Sequence, residues 1–108
     1  GDFKIGLNET SIGLSLPTWA LELTRDRLDN RMLNRATMGA ELFSPERAAE
    51  IGYLDEAVSP DGFQARVAEL AAAYQKLDRD GYDTVKRRLR GARTTLVRDG
   101  LAAEMADG

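Results

Sequence analysis

Hydrophobic positions recur with two periods along this chain, and the period separates one predicted strand from several predicted helices. Phe3, Ile5 and Leu7 alternate with non-apolar residues, which is the spacing of a strand over residues 3–7. Residues 12–17 predict a loop, because Gly13 and Pro17 interrupt the pattern. Most of the chain after this loop has helical spacing, so the pattern predicts a mainly α-helical chain with one or two short strands.

Capping residues set the bounds of three predicted helices in the first half of the chain. A helix is predicted over residues 18–28, and a second from Asp29 or Asn30 to about residue 38, before Gly39. Ser44 and Pro45 begin a third helix that closes at Gly52. Residues 53–58 then predict a short strand or extended segment that ends before Pro60.

Two amphipathic helices are predicted in the second half. The helix over residues 61–77 carries an apolar stripe at helical spacing: Phe63, Val67, Leu70, Ala71, Tyr74 and Leu77. The helix over residues 82–97 carries a second stripe: Tyr82, Val85, Leu89, Ala92 and Leu96. Gly81 is the predicted hinge between them, and residues 99–108 are predicted to fray.

The predicted strand over residues 3–7 has only the segment near Val58 as a possible partner. Its backbone N–H and C=O groups need hydrogen bonds, and so short a two-stranded sheet is not stable alone. The sequence therefore predicts that further strands come from an upstream segment or from another chain.

Composition narrows the possible chemistry. The 108 residues suit one small domain, with 43% apolar and 31% charged residues and no apolar run of membrane-spanning length. The chain has no Cys and no His, which excludes a disulfide, a Ser-His-Asp triad and a zinc site of the usual ligands within it. Acid–base chemistry would rest on Asp, Glu, Lys or Tyr, and the lack of Cys is compatible with the cytoplasm.

Charge is unevenly distributed along the chain. The net charge of −3 divides into −5 over residues 1–81 and +2 over residues 82–108. The basic run over residues 86–93 can meet phosphate groups or simply form a solvated helix face, and the second is favoured. The acidic residues Glu22, Asp26 and Asp29 are expected to pair with Arg25 and nearby arginines on an exposed face rather than bind a metal.

The candidate for chemistry is the carboxylate that comes after the predicted strand. Glu9 lies two residues beyond that strand, Gly13 is four residues later, and Pro17 four after that. A carboxylate in this position can face a cleft, with Gly and Pro shaping the adjacent loop. The spacing alone leaves two interpretations, which are a catalytic base and an exposed carboxylate that caps the next turn.

Two segments of the chain resemble one family. Residues 3–17 resemble the pattern F-x-x-x-x-x-E-x-x-x-G-x-x-x-P, and residues 41–58 resemble F-S-x-E-x-A-x-x-x-G-L-V-D-x-V. Both patterns, in this order, are similar to those of the crotonase superfamily of enoyl-CoA hydratases and isomerases. The resemblance implies an α/β fold for the whole protein, a spiral of ββα turns, of which this chain is the mainly helical C-terminal part.

The resemblance also implies a reaction. It makes Glu9 the acid/base for hydration of an enoyl-CoA, with a second acidic residue and both oxyanion-hole loops lying upstream, so that this fragment alone lacks half of the site. A Δ3,Δ2-enoyl-CoA isomerase is the alternative, since a single Glu moves a proton between carbons there. The candidate substrate-binding residues are Leu14, Pro17 and Trp19. Trp19 stands where many members have small residues, although its spacing with Leu23 also suits a helix core.

Residues 1–60 are expected to end the spiral core, and residues 61–108 to form a helical oligomerisation segment. The implied partners are an acyl-CoA of fatty-acid metabolism, the upstream half of the protein, and identical subunits in a trimer or hexamer. No metal or redox cofactor, membrane or nucleic acid is expected. A non-catalytic helical assembly module remains a further alternative, and a nucleic-acid-binding helix bundle is the weakest one.

Overall fold

The computed structural model describes residues 2–107, which form five α-helices and a two-stranded sheet. Two short 3-10 turns, Glu9–Ile12 and Asn30–Met32, lie between these elements. The strands and helices in chain order are β1 (Ile5–Gly6), α1 (Thr18–Arg27), α2 (Leu33–Ala36), β2 (Leu42–Phe43), α3 (Pro45–Ile51), α4 (Pro60–Gln75) and α5 (Arg79–Asp107). The mainly helical character predicted from the sequence is confirmed.

The sheet pairs β1 with β2 in antiparallel register, with Ile5 opposite Phe43 and Gly6 opposite Leu42. The predicted partner near Val58 is wrong, because residues 52–59 form turns and irregular backbone. Gly6 permits the observed pairing, since a Cβ there would lie 2.7 Å from the Glu41 carbonyl oxygen. Further strands from outside the chain stay a prediction.

Local capping chemistry accounts for the helix starts that the sequence predicted. The Ser44 hydroxyl accepts a hydrogen bond from the backbone N–H of Arg47 at 3.2 Å, at the start of α3. The Ser59 hydroxyl accepts one from the N–H of Gly62 at 3.3 Å, at the start of α4. Helix α3 ends at Gly52, as predicted, where φ is +108°.

Two predicted helices have different bounds in the structure. The second is a 3-10 turn followed by the single turn of α2, which ends before Thr37. Helix α5 is continuous through Gly81 and over the described part of residues 99–108, so the predicted hinge and frayed end are wrong. The end of α5 is helical because it packs on α1, where Gly100 approaches the backbone of Trp19.

The buried core is built by residues 28–51, from the end of α1 to the end of α3. Its buried apolar residues are Leu28, Met32, Ala36, Phe43, Ala48 and Ile51, and Ile5, Leu33, Tyr53 and Leu54 pack against them. Phe43 joins the β1–β2 pair to this core, and Met32 and Ala36 join the turn before α2 and α2 itself to it. The segment that carries Glu9 is therefore attached to the best-packed part of the chain.

Helix α5 docks on α1 through ion pairs. Arg90 pairs with Asp26, and Arg93 pairs with Glu22, whose side chain is 15% exposed. The predicted pairing with nearby arginines is confirmed for Glu22, which lies 3.6 Å from Arg25, and for Asp29, which lies 3.4 Å from Arg31. The exposed face expected for Glu22 and Asp26 is wrong, since both also pair with distant arginines at a helix interface. Arg90 and Arg93 are likewise half-buried, whereas Lys86, Arg87 and Arg88 are exposed.

Helices α4 and α5 leave much apolar surface exposed. Tyr74 of α4 packs edge-to-face on Tyr82 of α5, with ring centroids 6.2 Å apart. The exposed apolar side chains on the two helices and on the linker between them include Phe63, Val67, Leu77, Val85, Leu89, Leu96 and Met105. Among residues 2–107 no helix combines the length and apolar character that crossing a bilayer requires.

Candidate functional site

Glu9 begins the 3-10 turn that lies after β1. The turn is closed by its own hydrogen bonds, since the N–H of Leu14 donates to the Glu9 carbonyl at 2.8 Å and the Ser11 hydroxyl to the Asn8 carbonyl at 2.6 Å. Gly13 ends the turn in the left-handed region with φ +80°. A carboxylate just beyond a strand is thus held by a tightly bonded turn.

A hydrogen bond ties this turn to the rest of the fold. The Thr10 hydroxyl donates to the Met38 carbonyl at 2.9 Å, in the segment after α2. Met38 and Thr37 also line an open groove of about 560 Å³. Its other lining residues, partly apolar and partly cationic, are Leu21, Arg25, Asn30, Arg31, Leu33 and Asn34. An amphipathic groove therefore borders the residues that anchor the Glu9 turn.

The carboxyl group of Glu9 is half-buried, and its Oε2 atom is inaccessible and without a hydrogen-bond partner among the described residues. An exposed capping carboxylate would reach solvent and accept backbone N–H bonds. The position of Oε2 does not fit that alternative. A buried, unpartnered carboxylate oxygen is costly, and such atoms often belong to functional sites.

Tyr53 is the side chain near Glu9 that the sequence did not single out. Its ring packs on Phe43 with centroids 6.0 Å apart, and its hydroxyl is buried and without a partner in the described chain. Burial raises the pKa of the Tyr53 phenol, and the negative charge of Glu9 raises it further. Its place directly after the helix-ending Gly52 was visible in the sequence, but its proximity to Glu9 depends on the β1–β2 pairing.

Of the three predicted substrate-binding residues, two lie in the loop after the Glu9 turn and one lies in the first turn of α1. Leu14 is exposed and bonded to the Glu9 turn, and Pro17 caps α1 in extended conformation with ψ 155°. Trp19 is half-buried on α1, and its indole N–H donates to Glu104 Oε2 on α5 at 2.6 Å. Leu14 therefore lies next to Glu9, while Trp19 lies in the interface between α1 and α5.

Acidic side chains do not gather into a metal site within residues 2–107. No group of three or more potential ligands converges in that part of the chain. The acids Glu22 and Asp26 instead pair with arginines of α5. Polar chemistry near the core thus centres on Glu9 and Tyr53.

Solved structures of known proteins share this fold. An enoyl-CoA hydratase/isomerase family protein from Pseudomonas syringae superposes on 96% of the chain with a TM-score of 0.91 and 33% identity. The chain belongs to the crotonase family. It covers 45% of that protein's length, and no protein-family model matches it. The crotonase resemblance and the fold predicted from the sequence are confirmed.

Relatives within the crotonase family carry two kinds of names. An enoyl-CoA hydratase from Mycobacterium marinum is 27% identical, with a TM-score of 0.88, and the match covers 97% of this chain and 47% of that protein. The mouse mitochondrial enoyl-CoA delta isomerase 1 is 27% identical over 90 residues, which are 83% of this chain and 31% of that protein. The matched part of the chain thus spans between 31% and 47% of the length of these relatives.

Proposed function

We propose that the whole protein carrying this chain moves a proton on an enoyl-CoA thioester, with Glu9 as the acid/base. The observation that supports this most directly is the buried, unpartnered Oε2 of Glu9 in the turn after β1. Because Oε2 is inaccessible, the other carboxylate oxygen of Glu9 is the one that can accept and return a proton. The oxyanion donors and any second acid belong to the part of the protein outside this chain.

Isomerisation is the first candidate reaction. The mouse relative carries that name, and one carboxylate suffices for it: Glu9 takes a proton from C2 of a 3-enoyl-CoA and returns it to C4. The double bond then lies between C2 and C3, and no atom is gained or lost. Hydration, the reaction placed first by sequence reasoning, is the second candidate, because the M. marinum relative carries the name hydratase.

An assay of the whole purified protein can distinguish the two reactions by the absorbance of the conjugated enoyl thioester. Isomerisation of 3-hexenoyl-CoA creates the conjugated double bond, so absorbance rises, whereas hydration of crotonyl-CoA removes it, so absorbance falls. We expect the first signal to dominate at equal substrate concentration. A folded protein that gives neither signal would contradict the proposal and favour the non-catalytic assembly module.

Leu14, Pro17 and Trp19 are proposed to line the acyl pocket, and Trp19 offers the sharpest test. Trp19→Ala removes a large ring, so we expect KM for long acyl chains to change relative to short ones by about tenfold, the scale of a few buried methylene groups. Kinetics over a series of acyl-CoA lengths would measure this. Glu104→Gln is the matched control, because it weakens the same contact to α5 and leaves the ring in place.

An equal change at all chain lengths in Trp19→Ala would contradict the pocket role. It would assign Trp19 to packing between α1 and α5. The cytoplasmic location, and the absence of a redox cofactor and of nucleic-acid binding, stay predictions from the sequence.

Residues 61–108 are proposed to assemble identical subunits into a trimer or hexamer, and residues 1–60 to belong to the catalytic spiral. The apolar side chains of α4 and α5 support this, since Leu89 is 70% and Val85 62% exposed. Apolar surface of this extent usually contacts a partner.

Leu89→Glu is expected to reduce the assembled mass of the whole protein, because it places a charge in a dry interface. Light scattering after size-exclusion chromatography measures that mass. Thr95→Glu is the control, since it adds the same charge at an exposed polar position of α5. Equal masses for Leu89→Glu and the unaltered protein would remove this face from the proposed interface.

A further inference from the structure

Two buried side-chain oxygens within residues 2–107 lack a hydrogen-bond partner, and both belong to titratable groups. They are Glu9 Oε2 and the Tyr53 hydroxyl. One is an acceptor when ionised and the other carries a donor O–H, so a single water between them can satisfy both. Leaving both unsatisfied would cost free energy twice, which indicates that they act together.

The β1–β2 sheet places the segments that carry Glu9 and Tyr53 beside each other. Glu9 begins the turn just after β1, and Ile5 of β1 lies opposite Phe43 of β2. The Tyr53 ring packs on that Phe43 at a 47° tilt. Burial and, second, the charge of Glu9 raise the pKa of Tyr53, which agrees with this arrangement.

We propose that Tyr53 is a positioning residue for Glu9, donating its phenol hydrogen to one bridging water that in turn donates to Glu9 Oε2. The inference rests on the proposed function, since it assigns Glu9 Oε1 to proton exchange with the substrate. A phenol suits this role because its O–H donor is kept at neutral pH and does not compete with Glu9 for the transferred proton.

The pairing would act on the chemical step more than on binding. With Oε2 held through the water by the phenol, the carboxylate has one orientation, and its free oxygen stays directed at the reacting carbons. Tyr53 thus controls the direction of the base.

Kinetics of Tyr53→Phe in the whole protein test the role. We expect kcat to fall by about tenfold, the loss of one hydrogen bond that positions a charged group, while KM changes by less than about twofold. Tyr74→Phe, the same change at an exposed ring of α4, should alter neither constant. An unchanged kcat in Tyr53→Phe would overturn the proposal.

A second measurement needs no activity. In protein labelled with ¹³C at the tyrosine Cζ, the NMR signal that is missing from Tyr53→Phe belongs to Tyr53. Glu9→Gln removes a nearby negative charge, so this signal should titrate at lower pH than in the unaltered protein, while the signals of Tyr74 and Tyr82 should not move. If the titration shifts but neither enoyl-CoA reacts, the pairing stands and the proposed reaction fails. If the enzyme is active and the titration is unchanged, the pairing is wrong.

Discussion

Replacing Glu9 by Gln is expected to lower turnover of the whole protein by about 10²- to 10⁴-fold, the usual contribution of a positioned acid–base group. The amide keeps the size and shape of the side chain but cannot accept and return a proton. The turn should survive, because its hydrogen bonds come from the backbone and from Ser11 and Thr10 rather than from the Glu9 carboxylate. We therefore expect kcat to fall with an unchanged circular dichroism spectrum and midpoint of unfolding.

Glu46→Gln is the matched control for this experiment. Glu46 is exposed in the first turn of α3, so the same chemical change there should leave kcat within about twofold and shift stability by only a few tenths of a kcal/mol. Near-normal turnover of Glu9→Gln would remove Glu9 from the mechanism. Loss of activity together with unfolding would assign it a structural role instead.

Replacing Gly52 by Ala is expected to have the largest effect on stability, with a loss of about 3–5 kcal/mol in the free energy of unfolding. Gly52 ends α3 with φ +108°, a conformation that strains any residue with a Cβ. That Cβ would also overlap the backbone carbonyl oxygen of Arg27 at the end of α1. Since the clash is with backbone, no side-chain rotation can relieve it.

Gly91→Ala gives a control of opposite sign. Gly91 lies inside α5, and a Cβ there would meet no atom within 4 Å. Alanine should therefore stabilise the helix by about 0.5–1 kcal/mol. Urea unfolding of both variants measures the difference, and a Gly52→Ala protein as stable as the unaltered one would show that α1 and α3 do not meet as described.

The structural features that the sequence predicts correctly depend on residues close together in the chain. Ser44, Pro45 and Gly52 define α3 because capping and the left-handed stop depend on adjacent residues. The position of Glu9 just after a strand was likewise readable, although β1 has only two residues. The family could be recognised because two segments at a set spacing carry it.

Sequence reasoning failed where distant residues decide the structure. Two paired residues are too few for a periodic signal, so the pairing of β1 with β2 was missed. Helix α5 continues past residue 99 because it packs on α1, which composition cannot show. The nearness of Tyr53 to Glu9 depends on both strands and the ring of Phe43, and no single segment contains it.

The docking of α5 on α1 has a consequence for biosynthesis. Arg90 and Arg93 pair with Asp26 and Glu22, which lie 64 and 71 residues earlier in the chain. Both acids belong to α1, the helix that follows the Glu9 turn. During translation α1 therefore cannot pack on α5 until almost all of this chain has left the ribosome. A nascent or prematurely terminated chain lacks these contacts and exposes one face of α1, where chaperones and proteases can recognise it.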